Sequence, residues 1–242
     1  MRIFSKTDTG LVRSLNDDAF LSGYFEDGSV WAVVCDGIGG FNAGAVASAS
    51  AVRTIGSKLS NGYIPKMSGN TIRNLLSTAI NAANIEILDE AKENISLDGM
   101  GTTVVAAIIS EGLVHIAYAG DSRAYLFSKG DINRLTNDHS VVQMLIDCGE
   151  LTESEAADHP RRNLITRALG IDDYLEVDYC ECPFGAGDKL LLCTDGLTNA
   201  VRDSELLEAE ESTSVELLAS HFIDMANKSG GADNATAVIV CD

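Results

Sequence analysis

Basic residues are scarce in this 242-residue chain: 17 Lys and Arg stand against 36 Asp and Glu, a formal charge of −19 at pH 7. A surface of that sign repels nucleic acid and anionic membrane, so neither is expected as a partner, while divalent cations are attracted. Proline is almost absent, at Pro65, Pro160 and Pro183 only. No low-complexity linker or internal repeat interrupts the chain, and the expectation is a single domain over residues 1–242. No apolar run approaches the roughly eighteen residues that a membrane span needs. The opening MRIFSKTDTG lacks the apolar stretch of a signal peptide, which makes the cytoplasm the expected compartment. Cys180 and Cys182 lie two apart, as on one face of a strand, and no second Cys or His pair completes a zinc pattern. Cys35, Cys193 and Cys241 sit in apolar runs, where a free thiol behaves as a small buried hydrophobe.

What is present is an ordinary globular composition, 45% hydrophobic and 22% charged. Val30 to Cys35 is wholly apolar, as a strand covered on both faces should be. Asn42 to Leu59 and Asn70 to Asn94 read as successive helices, the second with a stripe of Ile72, Leu75, Leu76, Ala79, Ile80, Ala83 and Ile87 at 3.6-residue spacing. Thr102 to Ile109 and Leu113 to Tyr118 read as one hairpin, and Ala124 to Phe127 with Asp131 to Leu135 as another, turned at Lys129-Gly130. Residues 140–169 are mixed and polar, with a capping-box spacing at Thr152 and Glu155. Lys189 to Thr194 is a further buried strand. Ser214 to Lys228 is an amphipathic helix stopped by Gly230-Gly231, and Ala235 to Cys241 is a final strand. Helices and strands come in blocks, which argues for α+β with antiparallel sheets.

The placement of aspartate carries the chemistry. VWAVVC delivers Asp36-Gly37, VHIAYAG delivers Asp121, and KLLLCT delivers Asp195-Gly196. Asp233-Asn234 stands just before the last strand, and Asp17-Asp18 could join the same sheet edge. Asp-Gly is also a common turn dipeptide, and two of these read singly as turns. Together, acids at the ends of buried runs form a cluster that stays ionised only beside cations. Oxygen-only donors select magnesium or manganese over zinc or copper. Two such ions can hold a bridging water and aim it at phosphorus. Arg13, four residues before Asp17, can fork onto a phosphate at the same mouth. His115 lies on an apolar strand and reads as a packed residue, His221 as plain helix surface.

A series of blocks then resembles a known family. They are Arg13 with Asn16-Asp17-Asp18, CDGIGGFNAGAVAS from Cys35, Gly101-Thr102-Thr103, AGDSRAYL from Ala119, LTNDHS from Leu135, ITRALG from Ile165, LLLCTDGL from Leu190, and Asp233-Asn234-Ala235-Thr236. In that order, over essentially the whole chain, they are similar to the PPM-type metal-dependent serine/threonine phosphatases, also called protein phosphatase 2C, in their bacterial single-domain form.

The resemblance implies an αββα sandwich and hydrolysis of phosphoserine or phosphothreonine on proteins by a water bridging two divalent cations, Mn2+ or Mg2+. It implies metal ligation by Asp36, the Gly37 carbonyl, Asp195 and Asp233, by Asp17 where the family usually has Glu, and by Asp121 for a third, weaker ion. Asp18 and Asn234 would support these ligands from behind. Asp36, Asp195 and Arg13 would carry catalysis, with Arg13 on the phosphate. Residues from about 140 to 167 would be a flap beside the site, with His139 and His159 near it. Phosphoproteins are the implied partners, with a serine/threonine kinase alongside. Phe41 stands where the bacterial pattern has the His assigned as general acid, and Ala45 where Glu is common. Two other functions remain open at this point: a catalytically weak phosphoprotein sensor, supported by Phe41, and a small-molecule phosphatase on the same fold.

Overall fold

The computed structural model describes residues 1–40, 42–157 and 159–242; Phe41, the expected departure at the general-acid position, lies outside them. Among the described residues the chain forms eleven strands and seven α-helices, with one 3-10 turn at Ile95–Leu97. The strands build two antiparallel sheets. In chain order they are β1 (Arg2–Asp8), β2 (Asp18–Tyr24), β3 (Val30–Ile38), β4 (Gly101–Thr102), β5 (Val104–Ser110), β6 (Leu113–Ala119), β7 (Arg123–Ser128), β8 (Asp131–Arg134), β9 (Asp178–Pro183), β10 (Lys189–Cys193) and β11 (Ala235–Cys241). One sheet runs β1-β11-β10-β7-β8, the other β2-β3-β5-β6-β9, with β4 paired to β3.

The helices are α1 (Ala43–Gly62), α2 (Gly69–Glu93), α3 (Val141–Asp147), α4 (Glu153–Ala157), α5 (Asp195–Thr198), α6 (Asp203–Ser212) and α7 (Val215–Lys228). The sequence reading contained α1, α2 and α7 and the capped start of α4. It did not contain α3, α5 or α6. Thr152 caps α4 as its spacing suggests: its N–H donates to Glu155 Oε2 at 2.9 Å.

Period-two side-chain alternation explains why the strands look apolar throughout. Along β3, Trp31, Val33 and Cys35 pack with α1 and α2, while Val30, Ala32 and Val34 pack between the sheets. Along β10, Leu190 and Leu192 face the other sheet, while Leu191 and Cys193 join Phe222 and Ile223 of α7. Each central strand thus serves two of three stacked cores, and the layers are helices, sheet, sheet, helices. The stripe on α2 buries Ile72, Leu76, Ala79, Ile80, Ala83 and Ile87. His115 is buried on β6, with Nδ1 2.7 Å from the Tyr179 hydroxyl. His221, expected on the surface, is half-buried on α7.

Direction in the sheets decides where the acids meet. β3 and β6 both pair antiparallel with β5, so they end on the same edge. β10 and β11 are antiparallel, so the start of β11 lies beside the end of β10. β2 is antiparallel to β3, with Asp18 opposite Asp36. Leu76, fully buried on α2, and Ile85, 57% exposed on the same helix, test this layering. Leu76→Ala is expected to cost about 2–5 kcal/mol in a urea unfolding titration, and Ile85→Ala to stay within about 0.5 kcal/mol. Equal losses would contradict it.

Candidate active site

A cleft of about 260 Å³ opens at that shared edge, lined by Asp17, Asp36, Asp121, Asp195 and Asp233 together with Arg13. Five separated parts of the chain supply these acids. Neither Asp-Gly pair takes the turn that each, read singly, also allowed. Asp36-Gly37 lies within β3, which continues to Ile38, and Asp195-Gly196 opens α5. The glycines serve close approach instead. A Cβ on Gly37 would stand 2.1 Å from the Gly44 carbonyl oxygen and 2.6 Å from that of Asp17, and one on Gly196 would stand 1.9 Å from the Asn234 carbonyl oxygen. Each glycine therefore lets a second segment press against the strand end where an acid points into the cleft.

Backbone hydrogen bonds hold Asp36 in place. Its N–H donates to Thr103 Oγ1 at 3.0 Å, and its carbonyl accepts from Thr102 Oγ1 at 2.8 Å. Thr103 is the residue at which the expected strand 102–109 breaks into β4 and β5, so the break has a use. The Asp17 carbonyl accepts from the Gly37 N–H at 3.1 Å and from Ser48 Oγ at 2.6 Å.

Asn234 ties down the loop that carries Arg13 and Asp17. Its Oδ1 accepts from the Asp17 N–H at 2.8 Å, and its Nδ2 donates to the carbonyls of Thr9 and Leu15, both at 2.8 Å. Arg13 stands at the mouth, half-exposed, with Nη2 2.9 Å from Asp233 Oδ2. Asp233, and then Asp17 and Asp36, push its pKa further up.

Electrostatics are the cost of this arrangement. Burial, and then the charges of Asp18, Asp195 and Asp121, hold the Asp36 carboxyl well above the usual range. Asp195 is raised too, by burial first and also by the charge of Asp233. Neighbouring carboxylates out of water disfavour each other's ionised form. Asp121 is pushed up to about 7 by burial and Asp195.

Asp18 is buried behind the cleft and also reaches about 7, by burial, against the pull of two hydroxyl bonds. These come from Thr194 Oγ1 at 2.8 Å and Thr236 Oγ1 at 2.7 Å. The remaining oxygens, Asp17 Oδ1 and Asp18 Oδ1, are buried with no hydrogen-bond partner among the described residues.

Among the described residues, no group of three or more His, Cys, Asp or Glu is gathered into a ready-formed metal cage. The acids ring the cleft wall instead. The donors nevertheless fit hard cations: they are all oxygen, they include a buried partnerless Asp17 oxygen, and a bound cation would offset both their burial and their mutual repulsion. Asp17, Asp36, Asp195 and Asp233 could hold such ions, with Asp121 on the flank.

All the residues expected at the site therefore line the cleft or, like Asp18, stand directly behind it. The sequence reading missed Thr103, Thr194 and Thr236, which position acids, and Asn199, whose Nδ2 donates to Asp195 Oδ2 at 2.9 Å. Thr194 and Thr236 had a signal, since each adjoins a strand end within two or three residues of a key acid. Asn199 had none until α5 turned it back. From the expected flap, Asn163 and Ile165 reach the cleft wall. His139 accepts from the Gly120 N–H through Nδ1 at 3.1 Å and does not reach the cleft.

Comparison with known proteins gives a consistent picture. A sequence model of the family described as protein phosphatase 2C matches residues 12–236. The chain is 41% identical over 238 residues to the serine/threonine phosphatase stp of Listeria monocytogenes, covering 97% of this chain and 93% of that one. Among solved structures, the serine/threonine phosphatase of S. agalactiae superposes with a TM-score of 0.92 at 32% identity, covering 100% and 99% of the two chains. The catalytic domain of the serine/threonine protein phosphatase PstP, solved with two manganese ions, superposes with a TM-score of 0.86 at 33% identity, covering 100% and 98%. Fold, cleft and sequence match together place this chain in the protein phosphatase 2C family.

Proposed function

We propose that this protein is a metal-dependent serine/threonine phosphatase that hydrolyses phosphoserine and phosphothreonine on proteins, in cytoplasmic signalling. The observation that carries the reading is the ring of five acids with Arg13 at its mouth, on a chain of this family. The manganese of the PstP structure supports Mn2+ or Mg2+ as the ion. Two such ions, when bound, would supply an activated bridging water as nucleophile and neutralise the phosphate.

The chain's own residues do the rest. Asp36 would contact both ions, with Asp195 and Asp233 each holding one. The Gly37 carbonyl and Asp17 would complete the set, and Asp121 would hold a weaker third ion. Asp18, held by Thr194 and Thr236, sets the register of β2 against β3 so that Asp17 faces the cleft. Asn234 fixes the loop of Arg13 and Asp17. Arg13 binds two non-bridging phosphate oxygens through its planar fork. The segment from about 140 to 167 acts as the flap of a single domain, adding Asn163 and Ile165 to the wall and limiting water. Such phosphoproteins are products of serine/threonine kinases, which makes a kinase the functional counterpart.

Hydrolysis of p-nitrophenyl phosphate and of phosphothreonine peptides should require Mn2+ or Mg2+ and stop in EDTA. Asp36→Asn should remove turnover without loss of fold, because one member of a repelling buried pair is gone. In thermal unfolding, the metal-free variant should melt no lower than the metal-free parent, and the upward shift in Tm that Mn2+ gives the parent should largely disappear. Turnover after exhaustive chelation, or an undiminished Mn2+ shift in Asp36→Asn, would contradict the assignment.

Arg13→Ala should raise KM for phosphopeptide and weaken inhibition by inorganic phosphate together, each about tenfold, the loss of one charge-assisted bidentate contact. Arg13→Lys should recover only part of both, because an ammonium cannot fork. Unchanged phosphate inhibition in Arg13→Ala would remove Arg13 from the phosphate site.

A further inference from the structure

The turn between β6 and β7 carries Asp121 into the acid-lined cleft, and a side chain outside the cleft lining holds that turn. Both backbone groups of Gly120, the residue before Asp121, are paired with His139. The Gly120 N–H donates to His139 Nδ1 at 3.1 Å, and its carbonyl accepts from the His139 N–H at 2.9 Å. The His139 ring is buried and lies flat on Tyr118, with centroids 5.2 Å and planes 13° apart, which fixes its plane. On the other side of the turn, Ser122 Oγ lies 2.7 Å from Thr103 Oγ1, the same hydroxyl that accepts from the Asp36 N–H. The Asp121 turn is thus pinned between the strand end of Asp36 and His139.

His139 also stands at the base of the expected flap. Its carbonyl accepts from the Thr166 N–H at 2.7 Å, Ser140 bridges to Ile165, and the Val141 N–H donates to the Leu164 carbonyl at 2.8 Å. Ile165, in the middle of that pairing, lines the cleft with Asn163. One residue therefore bonds the Asp121 turn through its ring and N–H, and the flap through its carbonyl.

A neutral imidazole accepts at one nitrogen and donates at the other. Nε2 has two neighbours, Arg167 Nη1 at 3.1 Å and Asp178 Oδ2 at 3.3 Å. Arg167 has carboxylates to donate to, Asp178 Oδ1 at 2.8 Å and Glu176 Oε2 at 2.7 Å. The buried Gly120 N–H can only donate, and it meets Nδ1. Nδ1 therefore keeps its lone pair, and Nε2 carries the proton and gives it in a hydrogen bond to Asp178. Burial, and then Arg167, lowers the pKa of His139, which keeps the ring neutral as this role requires.

We propose that His139 is a positioning residue for the phosphatase reaction: its unprotonated Nδ1, set by Asp178, holds the Gly120 peptide so that Asp121 and the flap wall at Ile165 keep their places across one cleft. The inference rests on the phosphatase reading. His139 acts through Gly120 and Thr166, without itself lining the cleft.

The test compares His139→Asn, whose amide oxygen can stand where Nδ1 stands, with His139→Phe, which keeps a ring on Tyr118 and has no acceptor. Amide hydrogen exchange is read by NMR in the metal-free protein, and kcat and KM on p-nitrophenyl phosphate in Mn2+. In His139→Phe the Gly120 and Thr166 amides should lose protection together, by about tenfold or more, while Val105 in the core strand β5 keeps its own. Its kcat should fall about tenfold, the usual scale for a group that orients a metal-site residue from behind, with KM within about twofold. His139→Asn should retain most of both the protection and kcat. In an Asp121→Asn background, His139→Phe should cost little more, because the two act through one turn. The ring nitrogens of the parent should show Nδ1 unprotonated and Nε2 protonated. Asp178→Ala, at a half-exposed position that does not threaten folding, frees Arg167 to donate to Nε2; the proton should then move toward Nδ1, and Gly120 protection should fall about threefold.

Gly120 protection unchanged in His139→Phe, a His139→Asn no better than His139→Phe, or a full additive loss in the Asp121→Asn background would overturn the proposal. So would a parent with the proton on Nδ1. A parent that shows the expected exchange and ring-nitrogen pattern yet turns over neither p-nitrophenyl phosphate nor phosphothreonine peptide would keep His139 as the clamp of the Asp121 turn and remove the phosphatase reading.

Discussion

Mutual repulsion among carboxylates is the constraint on which the rest of this structure depends. Asp36 and Asp195 are both raised, by burial first and then by the neighbouring carboxylates. Groups of one sign do not gather out of water unless the surrounding fold forces them together. Here the force is supplied by three packed cores. Each central strand is buried on both faces, so its end cannot retreat, and the acid it carries is delivered to the edge whatever its neighbours prefer. Stability earned in the layers is thereby spent at the edge, which is where a site for cations has to be strained when empty of counter-charge.

The supporting contacts follow the same logic. Gly37 and Gly196 allow backbone segments to approach within distances that any side chain would forbid. Thr194 and Thr236 aim hydroxyls at one oxygen of buried Asp18, and Asn234 uses its amide to pin the Arg13 loop at three points. None of these groups needs to touch a substrate. They define where the acids and Arg13 stand, so the cleft geometry is set by the fold before anything binds.

Much of this was legible in the sequence because the layers demand it. A strand covered on both faces has no polar position, so VWAVVC and KLLLCT announce themselves, and the acids that follow are conspicuous against them. The helical stripe of α2 matched its buried face for a similar reason. What was not legible depends on contacts between distant segments. Asp36-Gly37 and Asp195-Gly196 look like turns because the approach of Gly44 and Asn234 is invisible in one dimension. The break at Thr103 arises from its bond to Asp36, 67 residues away in sequence. Helix α6, DSELLEAEES, carries mostly acid on its outer face and buries only Leu206 and Ala209, too sparse a stripe to recognise. Asn199 joins the site only because α5 makes a single turn after Asp195.

The central claim, that the gathered acids form an oxygen-only cation site with a phosphate position at Arg13, is tested most directly by a crystal structure grown with Mn2+ and inorganic phosphate, with anomalous data collected at the manganese edge. The account predicts two anomalous peaks about 3.5–4 Å apart, with Asp36 in contact with both, Asp195 and Asp233 on one each, and phosphate oxygens in the fork of Arg13. A cleft without manganese at saturating concentration, or manganese bound only at acids elsewhere on the surface, would contradict it.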